Sequence, residues 1–175
     1  PPAFKSRAGS IPAAGTIFLF MSADKRIDEL NLQLPPAPKP GGVYQPVLVC
    51  GNMAYVSGHG PLRDDESYIT GRVGETMDTE AAKAAARQTG LAILASLRAK
   101  FGSLDRVERL VKSFGMVNAT PDFGQHPQVI NGYSELMADV FGAEKGLGSR
   151  SAVGMGSLPN NIAVEIEAVF EIRPE

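Results

Sequence analysis

One cysteine, two histidines and no surplus of positive charge set the first limits on this sequence of 175 residues. A single cysteine, Cys50, excludes an internal disulfide framework and a multi-cysteine zinc site, and it suits a reducing, cytoplasmic setting. Within the apolar run Val47 to Cys50 it is expected to be a small buried hydrophobe rather than a reactive thiol. His59 and His126 stand in no spacing with cysteines or carboxylates that would hold a metal, so none is expected. The 17 basic and 19 acidic residues leave a formal charge of -2, which is far from the dense positive field of a general nucleic-acid binder. Any anion must therefore be held locally. No run approaches the ~18 consecutive apolar residues that span a bilayer, so a soluble protein without a membrane segment is expected. There is no GK[ST] and no GxSxG, and Gly154-Met155-Gly156 lacks the third glycine of a dinucleotide fingerprint.

What remains is enough for one core, and a length of this order favours a single domain. The first 20 residues carry Lys5 and Arg7 and a short apolar run, Ile17 to Phe20. That run is too short for a secretory core, and a disordered or vestigial extension ahead of Met21 is the preferred reading. A start at Pro1 is compatible with a missing beginning. Residues 35 to 42, PPAPKPGG, cannot continue a helix and hardly donate to a sheet. They are read as the boundary between an N-terminal extension, 1–34, and a domain over 35–175 whose compact part begins near Val43.

The stretch VYQPVLVCGNMAYVSG predicts two antiparallel strands around the turn pair Gly51-Asn52. A short strand flanked by glycines is expected over Tyr68 to Val73. Asp78-Thr79-Glu80 supplies a cap before AAKAAARQTGLAILASLRAKF, and Gly102 supplies the stop. Ala82, Ala85, Ala86, Thr89, Ile93, Leu94 and Leu97 fall on one face of that helix at helical spacing. Gly90 costs helix stability, and close packing is its expected reason. Val107 to Val117 reads as a strand and Pro127 to Phe141 as a second helix closed by Gly142. A pair of strands follows, Arg150 to Gly156 and Ile162 to Ile172, separated by the turn Leu158-Pro159-Asn160-Asn161. The result is an α+β domain in which two helices cover one face of a sheet. The other face is left for water, a ligand or a partner subunit.

In the last strand Val164, Ile166, Ala168, Phe170 and Ile172 point to the core, and Glu165, Glu167 and Glu171 point away. Solvent exposure alone would explain Glu167 and Glu171. His59 lies in a glycine-flanked bend, Ser57-Gly58-His59-Gly60-Pro61, where a hydrogen-bonded structural role and a functional one are equally open. Arg150 follows a glycine-rich bend and opens a strand of very small residues. A guanidinium fixed there can grip a carboxylate with two parallel hydrogen bonds. A surface salt bridge is the competing reading.

The segments Ser149-Arg150-Ser151-Ala152-Val153, Leu158-Pro159-Asn160-Asn161 and Val164-Glu165-Ile166-Glu167-Ala168 closely resemble the signature of the RidA/YjgF family. So does Gly51-Asn52-Met53-Ala54-Tyr55-Val56-Ser57-Gly58. The resemblance spans about residues 35 to 173, in order. It implies a chorismate-mutase-like α+β fold, a homotrimer with clefts between subunits, and cofactor-independent hydrolysis of reactive enamines and imines such as 2-aminoacrylate to 2-oxo acids and ammonia. Arg150 matches the arginine that binds the substrate carboxylate, and Glu165 matches the acid that positions the attacking water. Tyr44, Ser57 and Asn131 match pocket residues, and Gly58 and Ala152 match positions of backbone contact. Ala152 replaces a cysteine common in the family and His59 a glutamine, which marks a divergent subgroup with the PPAPKP opening. Two other functions stand beside the deaminase: a non-catalytic module that binds small carboxylates through Arg150, and an endoribonuclease, against which the balanced charge argues.

Overall fold

A computed structural model describes residues 22–174. Its centre is a five-stranded sheet built from β1 (Val47–Cys50), β2 (Met53–His59), β3 (Val107–Asn118), β4 (Ser149–Met155) and β5 (Val164–Ile172) in the spatial order β1-β2-β5-β3-β4. All neighbours are antiparallel except β3 and β4. The hairpin β1–β2 turns at Gly51, whose φ of +59° a side chain would resist. The two C-terminal strands expected as a pair are not neighbours, because β3 lies between them. A parallel β3–β4 pair needs a long crossover, and α3 (His126–Phe141) provides it. The chain then crosses the end of β3 through a turn with Asn160 and Asn161 at positive φ.

The long helix α2 spans Thr79–Phe101. The Asp78 side chain accepts a hydrogen bond from the Ala81 N–H, and Gly102 ends the helix in the left-handed region. Every residue of its expected apolar face is fully buried. Gly90 meets α3 rather than the sheet: a Cβ there would stand 2.8 Å from Leu136 Cδ2 and 3.2 Å from the Tyr133 ring. The core face of β5 is buried as its period-two pattern predicts, with Val164, Ile166, Ala168, Phe170 and Ile172 under the helices. The far face carries Glu165, Glu167, Val169, Tyr55 and Leu48, the last two about half exposed.

Three further expectations need correction. The compact unit starts ahead of the proline-rich segment, because α1 (Ala23–Glu29) buries Ala23 and Ile27 in the same core, joined by Leu32 and Leu34. A reciprocal clasp holds it. Asp105 accepts from Ser22 Oγ and the Ala23 amide, while Asp24 accepts from Ser103 Oγ and the Leu104 amide and pairs with Arg98. Residues 1–21 lie outside the described part, and so does the expectation about them. Tyr68 to Val73 forms no strand and makes only isolated bridges, among them Thr70 with Ile162 and Val73 with Ala119. Cys50 is exposed, since it ends a short edge strand beside the turn. Among the described residues no helix is long and apolar enough to cross a membrane, and no cluster of ligating side chains could hold a metal.

Candidate active site

Glu165 sits on the open face of β5, where β2 passes it with a bulge between Val56 and His59. The bulge turns Ser57 and Gly58 toward the carboxylate. A Cβ on Gly58 would lie 2.0 Å from Glu165 Oε1, so only a glycine lets the carboxylate rest against the strand. Burial raises the affinity of Glu165 for its proton, and the negative charge of Glu167 on the same face adds to the effect. Among the described residues no cation pairs with it.

His59 closes the bulge from below. Its ring is buried, with Nδ1 2.6 Å from the Ser57 carbonyl and Nε2 2.8 Å from Ser96 Oγ on α2. The carbonyl can only accept, so Nδ1 carries the proton. Burial lowers the pKa and favours the neutral ring, leaving Nε2 to accept from the serine. Of the two roles open to His59, the ring's partners fit the structural one: it fixes the backbone that presents Ser57 and Gly58. Ser57 Oγ donates to the Gln45 carbonyl at 2.8 Å, which draws in the segment carrying Tyr44. Tyr44 in turn receives the Gly41 amide on its hydroxyl. These groups line a cleft of about 460 Å³ together with Pro38, Lys39, Tyr68, Pro159, Asn160 and Ile162.

Arg150 lies elsewhere. Its Nη1 donates to Asn131 Oδ1 and Ser134 Oγ, both at 2.9 Å, and its Nη2 reaches the Pro127 carbonyl at 3.4 Å. All three acceptors are on α3 and all are neutral. The competing surface salt bridge is absent among the described residues. Arg150 and Ala152 pair in register with Ser113 and Gly115 of β3, which face the helices. Glu165 pairs with Met116, which faces away from them. The two side chains thus occupy opposite faces, two strands apart and offset by three residues, so their Cα atoms are separated by about 14 Å given ordinary strand spacing and rise. One copy of the chain does not bring them together.

The comparisons with known proteins bear on what two such half-sites mean. The family model described as "YjgF/chorismate mutase-like, putative endoribonuclease" matches residues 24–170. A curated relative, Protein TCP17 of Trypanosoma cruzi, is 37% identical over 147 residues, 84% of this chain and 92% of its own length. The chain belongs to the RidA/YjgF family. A solved protein of unknown function from Agrobacterium tumefaciens shares 38% identity, with a TM-score of 0.78 over 87% of this chain and 94% of that one. RidA from an Antarctic Psychrobacter shares 26%, with a TM-score of 0.56 over 80% and 97%.

In this RidA/YjgF chain Tyr44, Ser57, Gly58, His59 and Glu165 line one cleft, while Arg150 and Ala152 on the edge strand β4 stand apart from it, with Asn131 on α3 beside Arg150. Sequence reasoning missed two neighbours. Ser134 shares the guanidinium with Asn131 because i and i+3 lie on one face of a helix, a signal the sequence does contain. Tyr68 reaches the cleft from a segment without regular structure, and no periodicity could have placed it.

Proposed function

We propose that the protein hydrolyses 2-imino acids, and enamines such as 2-aminoacrylate that tautomerise to them, to 2-oxo acids and ammonia. The site is completed between copies of a homotrimer, Arg150 of one meeting Glu165 of the next. The observation that carries this reading is a pair of charges unmet among the described residues: a guanidinium held by neutral acceptors, and a half-buried carboxylate with no cation beside it, on opposite faces of one sheet. A substrate carboxylate satisfies the first. A water satisfies the second.

The reaction asks little more. The imine carbon is already electrophilic, so no cofactor is required, and orienting it beside a water captures much of the acceleration. Glu165 takes one proton as the water oxygen bonds to that carbon and passes it to the nitrogen, then takes the second from the new hydroxyl and gives it to the same nitrogen, so that the carbonyl forms as the carbon–nitrogen bond breaks and ammonia leaves. The raised proton affinity of Glu165 suits a group that must both accept and return a proton. RNA cleavage, the activity in the name of a Shewanella oneidensis structure of the same fold (24% identity, TM-score 0.82), has less support, since the formal charge is -2 and RNA grooves are basic.

The test is to generate 2-aminoacrylate in situ with a pyridoxal-phosphate enzyme and follow pyruvate formation. Wild type is expected to accelerate it, and Arg150→Ala to lose about 10–100-fold in kcat/KM, the worth of one or two charge-assisted hydrogen bonds. Equal rates for the two proteins would contradict the assignment.

A further inference from the structure

The cleft holding Glu165 is larger than a three-carbon imine needs. At about 460 Å³ it falls in the ~300–1,000 Å³ range of pockets that enclose drug-sized ligands. Within one copy, 2-aminoacrylate and one water would leave most of it empty. Part of its lining is apolar. Gly60 carries no side chain, and a Cβ placed there would meet Ile162 Cδ1 at 3.0 Å and the Tyr68 ring at 3.1 Å. The ring and the methyl group therefore pack directly on the Gly60 backbone and form one apolar wall of the cleft. Pro159 and the Tyr44 ring line the same cleft, and Tyr68 is held there by bridges from its own segment: Leu62 with Tyr68, and Thr70 with Ile162. The cation in the lining, Lys39, is an exposed side chain of the proline-rich segment.

The geometry points to a side-chain pocket formed by Tyr68, Ile162 and Pro159 beside Glu165, which makes 2-imino acids with a bulky apolar or aromatic side chain the preferred substrates. This inference rests on the deaminase reading and adds a substrate class to it. A flat ring or branched chain gains contact with Tyr68 and Ile162, while a methyl or methylene group does not reach them.

The experiment generates imines from alanine, phenylalanine and glutamate with an L-amino acid oxidase, in the presence of semicarbazide to trap what remains, and adds the full-length protein. Binding of pyruvate, phenylpyruvate and 2-oxoglutarate is measured in parallel by calorimetry. The phenylalanine-derived imine is expected to be processed with a kcat/KM about tenfold or more above that of the alanine-derived one, the scale of discrimination a hydrophobic pocket supplies. Phenylpyruvate is expected to bind about tenfold more tightly than pyruvate. Tyr68→Phe should keep the ratio, and Tyr68→Ala should bring it close to one. Equal rates for the two imines, or a preference for the glutamate-derived imine through Lys39, would overturn the pocket assignment while leaving the deaminase intact. Selective phenylpyruvate binding without turnover of any imine would sink the deaminase and keep the pocket. The wild-type ratio decides the matter even where Tyr68→Ala does not fold.

Discussion

At the scale of single residues, Glu165 carries a tension between stability and chemistry. Burial first, and Glu167 second, raise its folded pKa above the ordinary value near 4.5. A carboxyl group with a raised folded pKa binds its proton more tightly in the native state, so stability falls as pH rises from the unfolded value through the folded one. Glu165→Gln removes that loss. Its Tm at neutral pH is expected at or above that of wild type, while kcat drops about 10²–10⁴-fold, the usual worth of a positioned general base. A fall in Tm alongside the activity would mean that the carboxylate is structural. The acid limb of the kcat/KM profile is expected to follow Glu165, since the base works only when ionised: burial and Glu167 move it to higher pH, and the guanidinium of a neighbouring copy opposes them. Glu167→Gln should move that limb to lower pH, part of the way only, because burial is the larger cause. Gly58 provides a second check. Alanine there would place a methyl 2.0 Å from Glu165 Oε1 and swing the carboxylate aside. A loss of about 10²-fold in kcat/KM with an unchanged melting curve is expected, the effect of a misplacement of about an ångström.

At the scale of elements, α2 and α3 pack closely against each other over the sheet. Gly132 is the close contact: a Cβ there would stand 2.1 Å from the Lys83 carbonyl oxygen, and backbone cannot turn away. Gly132→Ala is expected to cost ~1–3 kcal/mol by overpacking. At Gly90 the obstacles are ends of side chains, Leu136, Tyr133 and Met137, and alanine regains up to ~1 kcal/mol of helix propensity. Gly90→Ala should thus cost less than Gly132→Ala in urea unfolding, and the reverse order would contradict this packing. How legible these elements were depended on how local their causes are. Asp78, the stripe of small residues and Gly102 spell out α2, and the alternation in Val164–Ile172 spells out β5. The neighbour of β4 was not legible, because a parallel pair is set by the crossover of α3 rather than by the strand. Nor was α1, whose short apolar face is held by Asp24 and Asp105, carboxylates whose partners lie some 80 residues apart in sequence. Arg150 and Glu165 were legible as residues. That they stand on opposite faces follows only once α3 claims the guanidinium.

At the scale of the whole molecule, the open face is the feature that one copy leaves unexplained. Leu48 and Tyr55 are about half exposed there, beside a second hollow of about 630 Å³ that also includes Phe114, Lys112, Glu167 and Val169. A sheet face of this kind is stable when a second copy covers it, and in a closed ring each copy offers one half-site to each neighbour. Light scattering is expected to give three copies. The most direct test mixes two variants, Arg150→Ala and Glu165→Gln, each with about a tenth or less of wild-type activity alone, unfolds them together and refolds them as one population. In randomly assembled rings about a quarter of the interfaces combine an intact arginine with an intact glutamate, so about a quarter of the wild-type rate of pyruvate formation should return. A mixture as inactive as its components, beside wild type that regains activity in the same procedure, would contradict a site shared between copies.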